Sequence, residues 1–160
     1  MSTDITVAGV QLVGEVEAWL AAQAPSGRPV ALSPLARGRV ADRAGQIAAV
    51  ATVDVLRVLA ETTSVLIDRG WVRGAYTRPE GLCLSGALEH VGQALEPTWG
   101  YQRAYDARKA ATLAVEVVLA AHDHMPYIPS WNDDLRRTSA EVLAVLAVAQ
   151  QVAVRIGASR

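Results

Sequence analysis

The sequence predicts an all-α protein, a compact bundle of about five helices with two ordered loops. Three observations carry this. Alanine and leucine, both strong helix formers, are abundant, while phenylalanine is absent. Apolar residues recur three and four positions apart through five long segments. The ends of those segments carry capping residues and helix breakers where a helix needs them.

The first segment runs from about Thr3 to Ala22, with Ile5, Leu12, Val16, Trp19 and Leu20 as its apolar stripe. Ala24-Pro25-Ser26-Gly27-Arg28-Pro29 follows, a run that stops a helix. The second begins at Ser33, an N-cap with Pro34 in the first helical position. It continues to Arg69, with a break expected at Gly45 and a stop at Gly70. Ile47, Ala51, Val55, Val58, Thr62 and Leu66 share one face. The third is short, Cys83 to Ala94, with Leu84, Ala87, Leu88, Val91 and Leu95 in helical register. The fourth runs from Thr98, read as its cap, to Ala121. The fifth starts at Thr138-Ser139-Ala140-Glu141, a capping box, and ends at Gly157.

Two loop-rich stretches remain, Gly70 to Gly81 and His122 to Arg137. In the first, Trp71-Val72 and Leu82-Cys83-Leu84 can pair as a short hairpin. The chain divides into an N-terminal helical extension, residues 1–60, and a helical core, residues 61–160, packed as one compact unit.

Ala110 to Ala121 and Val142 to Val154 are apolar nearly all round. A helix apolar on every side is buried on every side. Both are therefore expected at the centre of the bundle or in a homodimer contact. Glu116 interrupts the first run, and Gln150 and Gln151 the second. Each falls short of the roughly 20 residues a bilayer span requires. No basic n-region precedes an apolar run at the N-terminus, so no signal peptide is read there. A soluble, cytoplasmic protein is expected.

Fifteen basic residues against 16 acidic ones give a net charge of -1, with no global signal for nucleic acid or an anionic membrane. Lys109 is the only lysine. That arginine bias fits a GC-rich, actinobacterial genome. Cys83 is the only cysteine, which excludes an internal disulfide and a multi-cysteine metal site. No P-loop, dinucleotide fingerprint or Gly-x-Ser-x-Gly elbow is present. No cofactor is implied.

Four groups of residues could carry chemistry. Cys83 opens a helix, where the dipole favours a thiolate, and His90 with Asp133 could complete a cysteine-dependent catalytic set. His122 and His124 are alternative bases, and Asn132 is the alternative to Asp133. The competing reading of Cys83 is a small core hydrophobe. His122-Asp123-His124 could begin a metal site, but its spacing matches no tight motif, and histidines at a helix end have a dipole explanation. Trp131, Asn132 and Asp133 offer an aromatic wall with polar groups, or an anchor that pins a loop. Trp71, bracketed by glycines and near Arg69, Arg73 and Arg78, could stack a ligand or pack.

The ordered set Trp71-Val72-Arg73-Gly74, Cys83-Leu84-Ser85-Gly86-Ala87-Leu88 and Trp131-Asn132-Asp133, followed by Thr138 and Glu141-Val142-Leu143, resembles an uncharacterised domain family of bacterial, mostly actinobacterial, and some phage proteins. The resemblance runs from about Ser64 to Ile156. It implies that the three segments belong to one unit, and it implies no activity.

The leading functional expectation is an intracellular interaction or assembly module, dimeric, with a homo-oligomer or another protein as partner. A small cysteine-dependent enzyme and a small-molecule binder lined by Trp71, Trp131 and Asn132 are the alternatives.

Overall fold

The computed structural model describes residues 10, 12–18, 21–22, 31–74, 77–121 and 127–159. Among these the chain is all-α, with seven helices and one two-residue strand pair. Residues 12–18 belong to α1, which buries Leu12, Val13 and Val16. The expected contributions of Ile5, Trp19 and Leu20 lie outside the described residues.

Ser33 caps α2 (Pro34–Ala48), its side chain accepting from Ala36 N–H at 3.2 Å. The segment to Arg69, expected to break at Gly45, is two helices divided further on. Gly45 lies inside α2, and the break comes at Ala49 to Ala51, before α3 (Thr52–Arg69). None of those three residues is a helix breaker. The turn is tertiary in origin: α2 packs mainly on α5, while α3 packs on α4, α5 and α7. The division at residues 60 and 61 thus falls inside a continuous helix.

Gly70 ends α3 at φ 87°. The hairpin expected between Trp71-Val72 and Leu82-Cys83-Leu84 forms instead between nearer strands, because Pro79-Glu80 turns the chain back, and Trp71 meets Leu82 in a parallel bridge. Thr77–Arg78 (β1) pairs antiparallel with Gly81–Leu82 (β2). Leu82 N–H donates to Gly70 O, and Val72 N–H to Leu82 O. Gly70 and Gly81 meet so closely that a Cβ on Gly81 would lie 2.3 Å from Gly70 O. Both have positive φ, so glycine is required twice over.

Next comes α4 (Leu84–Trp99), and α5 (Tyr101–Ala121) follows one residue later. Thr98 is not a cap. It sits in the last turn of α4, and the turn is made by Gly100 at φ 81°. Pro97 lies in that final turn. The loop after α5 holds a five-residue helix, α6 (Ile128–Asn132), which the sequence reading missed. The last, α7 (Ser139–Ala158), opens on the expected capping box. Thr138 accepts from Glu141 N–H, and Glu141 accepts from Thr138 N–H at 2.8 Å. Those bonds, first the backbone N–H and then the hydroxyl, hold the Glu141 carboxyl below its usual range. Gly157 does not stop the helix. It lies within α7, where a Cβ would come 2.2 Å from Thr52 Oγ1, so it sets how closely α7 meets the start of α3.

The bundle is organised around α5, which packs against α2, α3, α4 and α7. Ala104, Ala107, Ala110, Ala111 and Ala114 are buried along its length, and their small side chains admit neighbours on several sides. Its second half is buried as expected, from Val117 to Ala121 without a gap. The other apolar helix differs. On α7 one stripe is buried, Val142, Leu146, Ala149, Val152, Ala153 and Ile156. This helix has 20 residues and an 18-residue window of mean hydropathy 1.5, so by length and composition it could cross a membrane, contrary to the shorter run read from sequence. Only 33% of that window is buried.

Candidate functional site

The structure brings Trp71, Cys83, Trp131, Asn132 and Asp133 to one place, the N-terminus of α4. Asn132, at the end of α6, is fully buried. Its Oδ1 accepts from Trp71 Nε1 at 2.7 Å and from Leu84 N–H at 3.1 Å. Its Nδ2 donates to Val72 O at 3.2 Å and to Asp133 Oδ1 at 3.0 Å. An amide side chain has two donor hydrogens and two acceptor positions, so all four are used within the chain.

Each bond has a structural consequence. The Leu84 N–H is one of the unpaired donors at the start of α4, and Asn132 satisfies it from a distant segment. Cys83 satisfies another, its Sγ accepting from Gly86 N–H at 3.3 Å as the N-cap of the helix. Asp133 is exposed, and its Oδ1 also accepts from Gly74 N–H at 2.7 Å. Arg73 donates to Leu135 O, and Arg137 to Trp131 O at 3.2 Å, with the Arg137 guanidinium 4.0 Å above the Trp131 ring. The hairpin loop and the segment around α6 are thus tied to each other and to the start of α4.

The catalytic set read from sequence is arranged as follows. Cys83 is buried. His90 lies seven residues further along α4, about 10 Å on the helix axis, and is exposed with Nε2 3.5 Å from Arg69 Nη1. The thiol and this imidazole are therefore not paired. His122, Asp123 and His124 lie outside the described residues. Among the described residues no group of three or more His, Cys, Asp or Glu is placed to hold a metal ion.

Of the three proposed ligand contacts, Trp71 is partly exposed, while Trp131 and Asn132 are buried. A cleft of about 340 Å³ opens at Trp71, lined also by Val72, Arg73, Arg78 and Glu80. Trp131 and Asn132 do not line it.

A second polar cluster went unread in the sequence. Asp54, in the first turn of α3, is buried and takes two bonds from Arg103, at 2.7 and 2.8 Å. The guanidinium also lies 4.6 Å from the Trp99 ring centre. The hydrogen bonds from Arg103, reinforced by its charge and opposed by burial, hold the Asp54 carboxyl below its ordinary value. Spacing gives no signal for a pair 49 residues apart. Trp99-Gly100-Tyr101-Gln102-Arg103, an aromatic and basic corner around a glycine turn, was the visible cue.

The family of unknown function DUF6197 matches residues 50–152. The chain belongs to this family. The match takes in α3 to α6 and most of α7, so the three tied segments fall inside the family domain, while α1 and α2 fall outside it. Comparison with curated proteins and with solved structures gives no match.

Proposed function

We propose that this DUF6197 protein is a soluble, cytoplasmic interaction module that assembles with a second copy of itself. One observation carries the reading. The polar groups at the α4 N-terminus are used within the chain, whereas the outer side of α3 and α7 leaves apolar side chains in water. Val53, Ile67 and Val154 are 70%, 63% and 50% exposed. Between them Leu56 and Ala60 of α3 border one groove with Ala147 and Val154 of α7, and apolar side chains grouped on a soluble domain mark an interface.

A cytoplasmic setting is supported by the lone, buried thiol, which suits a reducing compartment. An actinobacterial source rests on the arginine and alanine bias alone. Reading α7 as a bundle helix rather than a span rests on its buried stripe, which packs on α3 and α5. The cysteine-enzyme reading lacks a base beside Cys83 among the described residues.

Light scattering over a concentration series tests the proposal. The expected mass is twice the 17.0 kDa of one chain. A mass that stays at one chain throughout removes self-assembly as the function.

A further inference from the structure

We infer that the second copy docks on the face shared by α3 and α7, with the two α3 helices antiparallel about a two-fold axis near Ala60. This rests on the self-assembly proposed above and adds its surface and register.

The face is read from side-chain positions. On α3 the buried set is Val55, Val58, Leu59, Thr62 and Leu66. Val53, Leu56, Ala60 and Ile67 recur on the opposite side at separations of three, four and seven. Beside them α7 presents Ala147, Gln150, Gln151 and Val154. With Leu56, Ala60 and, at one end, Arg155, these border a groove of about 720 Å³. Gly157 abuts Thr52, so α7 runs antiparallel to α3 along this groove.

Two features select a second copy as occupant. The first is symmetry of the stripe. Val53 and Ile67 stand seven residues on either side of Ala60, so reversing one α3 on another sets Val53 against Ile67 of the second copy. Ala60, the smallest residue of the stripe, falls at the crossing, where backbones must come closest. The second is charge. Arg57 and Glu61 flank the stripe on one side and pair with each other within the helix, with Arg57 61% exposed. Reversal about Ala60 brings Glu61 of the second copy to within about 3 Å of Arg57 along the axis, two residues of helical rise. The same holds for Glu61 and the second Arg57. A patch that is its own complement in both shape and charge is what an isologous dimer requires. A bilayer has no use for such a pattern, and the amides of Gln150 and Gln151, midway along the groove, would be costly in lipid.

The test uses full-length chains and mass measurements. Ala60→Arg, at an exposed position, is expected to give a folded monomer whose melting temperature matches that of wild type diluted to where it too is monomeric. Two charge variants check the register: Arg57→Glu makes a chain with two acids on the flank, and Glu61→Arg one with two bases. Each alone is expected to dimerise at least about tenfold more weakly than wild type, because like charges then face each other. Mixed, they are expected to recover wild-type affinity as a heterodimer. If Ala60→Arg remains a dimer, the face is wrong while self-assembly stands. If wild type is a monomer at every concentration, both fall. If Ala60→Arg is monomeric but the mixture gains nothing over its components, the antiparallel register is overturned.

Discussion

Two regions of this protein invert the usual distribution of side chains. At the start of α4, the buried Asn132 makes four hydrogen bonds and the Cys83 thiol caps a helix. Along the outside of α3 and α7, valine and isoleucine stand in water. The first region holds the residue types that draw attention in a sequence: tryptophan, cysteine, asparagine. The second is alanine, valine and glutamine. A polar group inside a protein is informative when a bond is missing, and here none is. An apolar group outside is informative when it has company, and here it has.

The largest expected effect tests the inner region. Asn132→Ala would leave Trp71 Nε1, Leu84 N–H and Val72 O without their partner. A buried polar group left unpaired costs about 1–3 kcal/mol, so a loss on the order of 3 kcal/mol or more is expected in urea denaturation. Ala60→Arg, on the outer face, is expected within about 0.5 kcal/mol of wild type when both are measured at a concentration where wild type is monomeric. Equal costs for the two would erase the distinction between the regions.

Gly157 sits at the edge of the outer face. Gly157→Val would push α7 off Thr52, at a cost of about 1–3 kcal/mol as overpacking. Because α3 and α7 would separate there, self-association is expected to weaken too. A variant that lost stability and kept wild-type association would show that the face tolerates a change in helix spacing.

Cys83 gives a smaller effect. Cys83→Ser keeps an N-cap acceptor, and serine is favoured at that position, so stability should change by no more than about 1 kcal/mol. The native thiol, being buried, should resist a disulfide reagent until urea unfolds the chain. Rapid labelling of the folded protein would return Cys83 to the list of reactive groups.

What the sequence revealed depended on whether the cause was local. Ser33, Gly70 and the box at Thr138 act within a turn of the residues they serve, and all three were legible. The break at Ala49 to Ala51 was hidden, because its cause is that α2 and α3 pack against different neighbours. Thr98 was read as the cap of the fourth helix, whereas the reversal belongs to Gly100, two residues on. Of the inner region, that the segments of Trp71, Cys83 and Asn132 belong to one unit was expected from the resemblance. That Asn132 would use all four of its bonds was not, because its partners lie 48 to 61 residues away apart from its neighbour Asp133. The outer face was hidden for a different reason. Composition made α7 look buried all round, and only its place at the side of the bundle shows that one stripe is.

The smallest effect concerns a pair that lies between the two regions. Asp54 is buried like Asn132, but its partner Arg103 reaches it from the surface, with 55% of its side chain exposed. The carboxyl is held below its ordinary value, chiefly by the hydrogen bonds from Arg103. In the unfolded chain Asp54 should titrate near pH 4. Below that pH the unfolded state takes up a proton that the folded state still refuses. The stabilisation is therefore complete above about pH 5 and declines as the pH falls through the lowered folded value. Asp134, held at about 2 by Arg136, and Glu141 titrate in the same direction, so acid unfolding of the wild type alone would not isolate the pair. Asp54→Asn isolates it, since the other two carboxyls remain in the variant. The difference in melting temperature between wild type and Asp54→Asn should be constant from pH 7 to about pH 5 and shrink toward pH 2. A difference independent of pH would mean that Asp54 acts through shape and hydrogen bonding alone, as Asn132 does, and would move this corner wholly into the inner class.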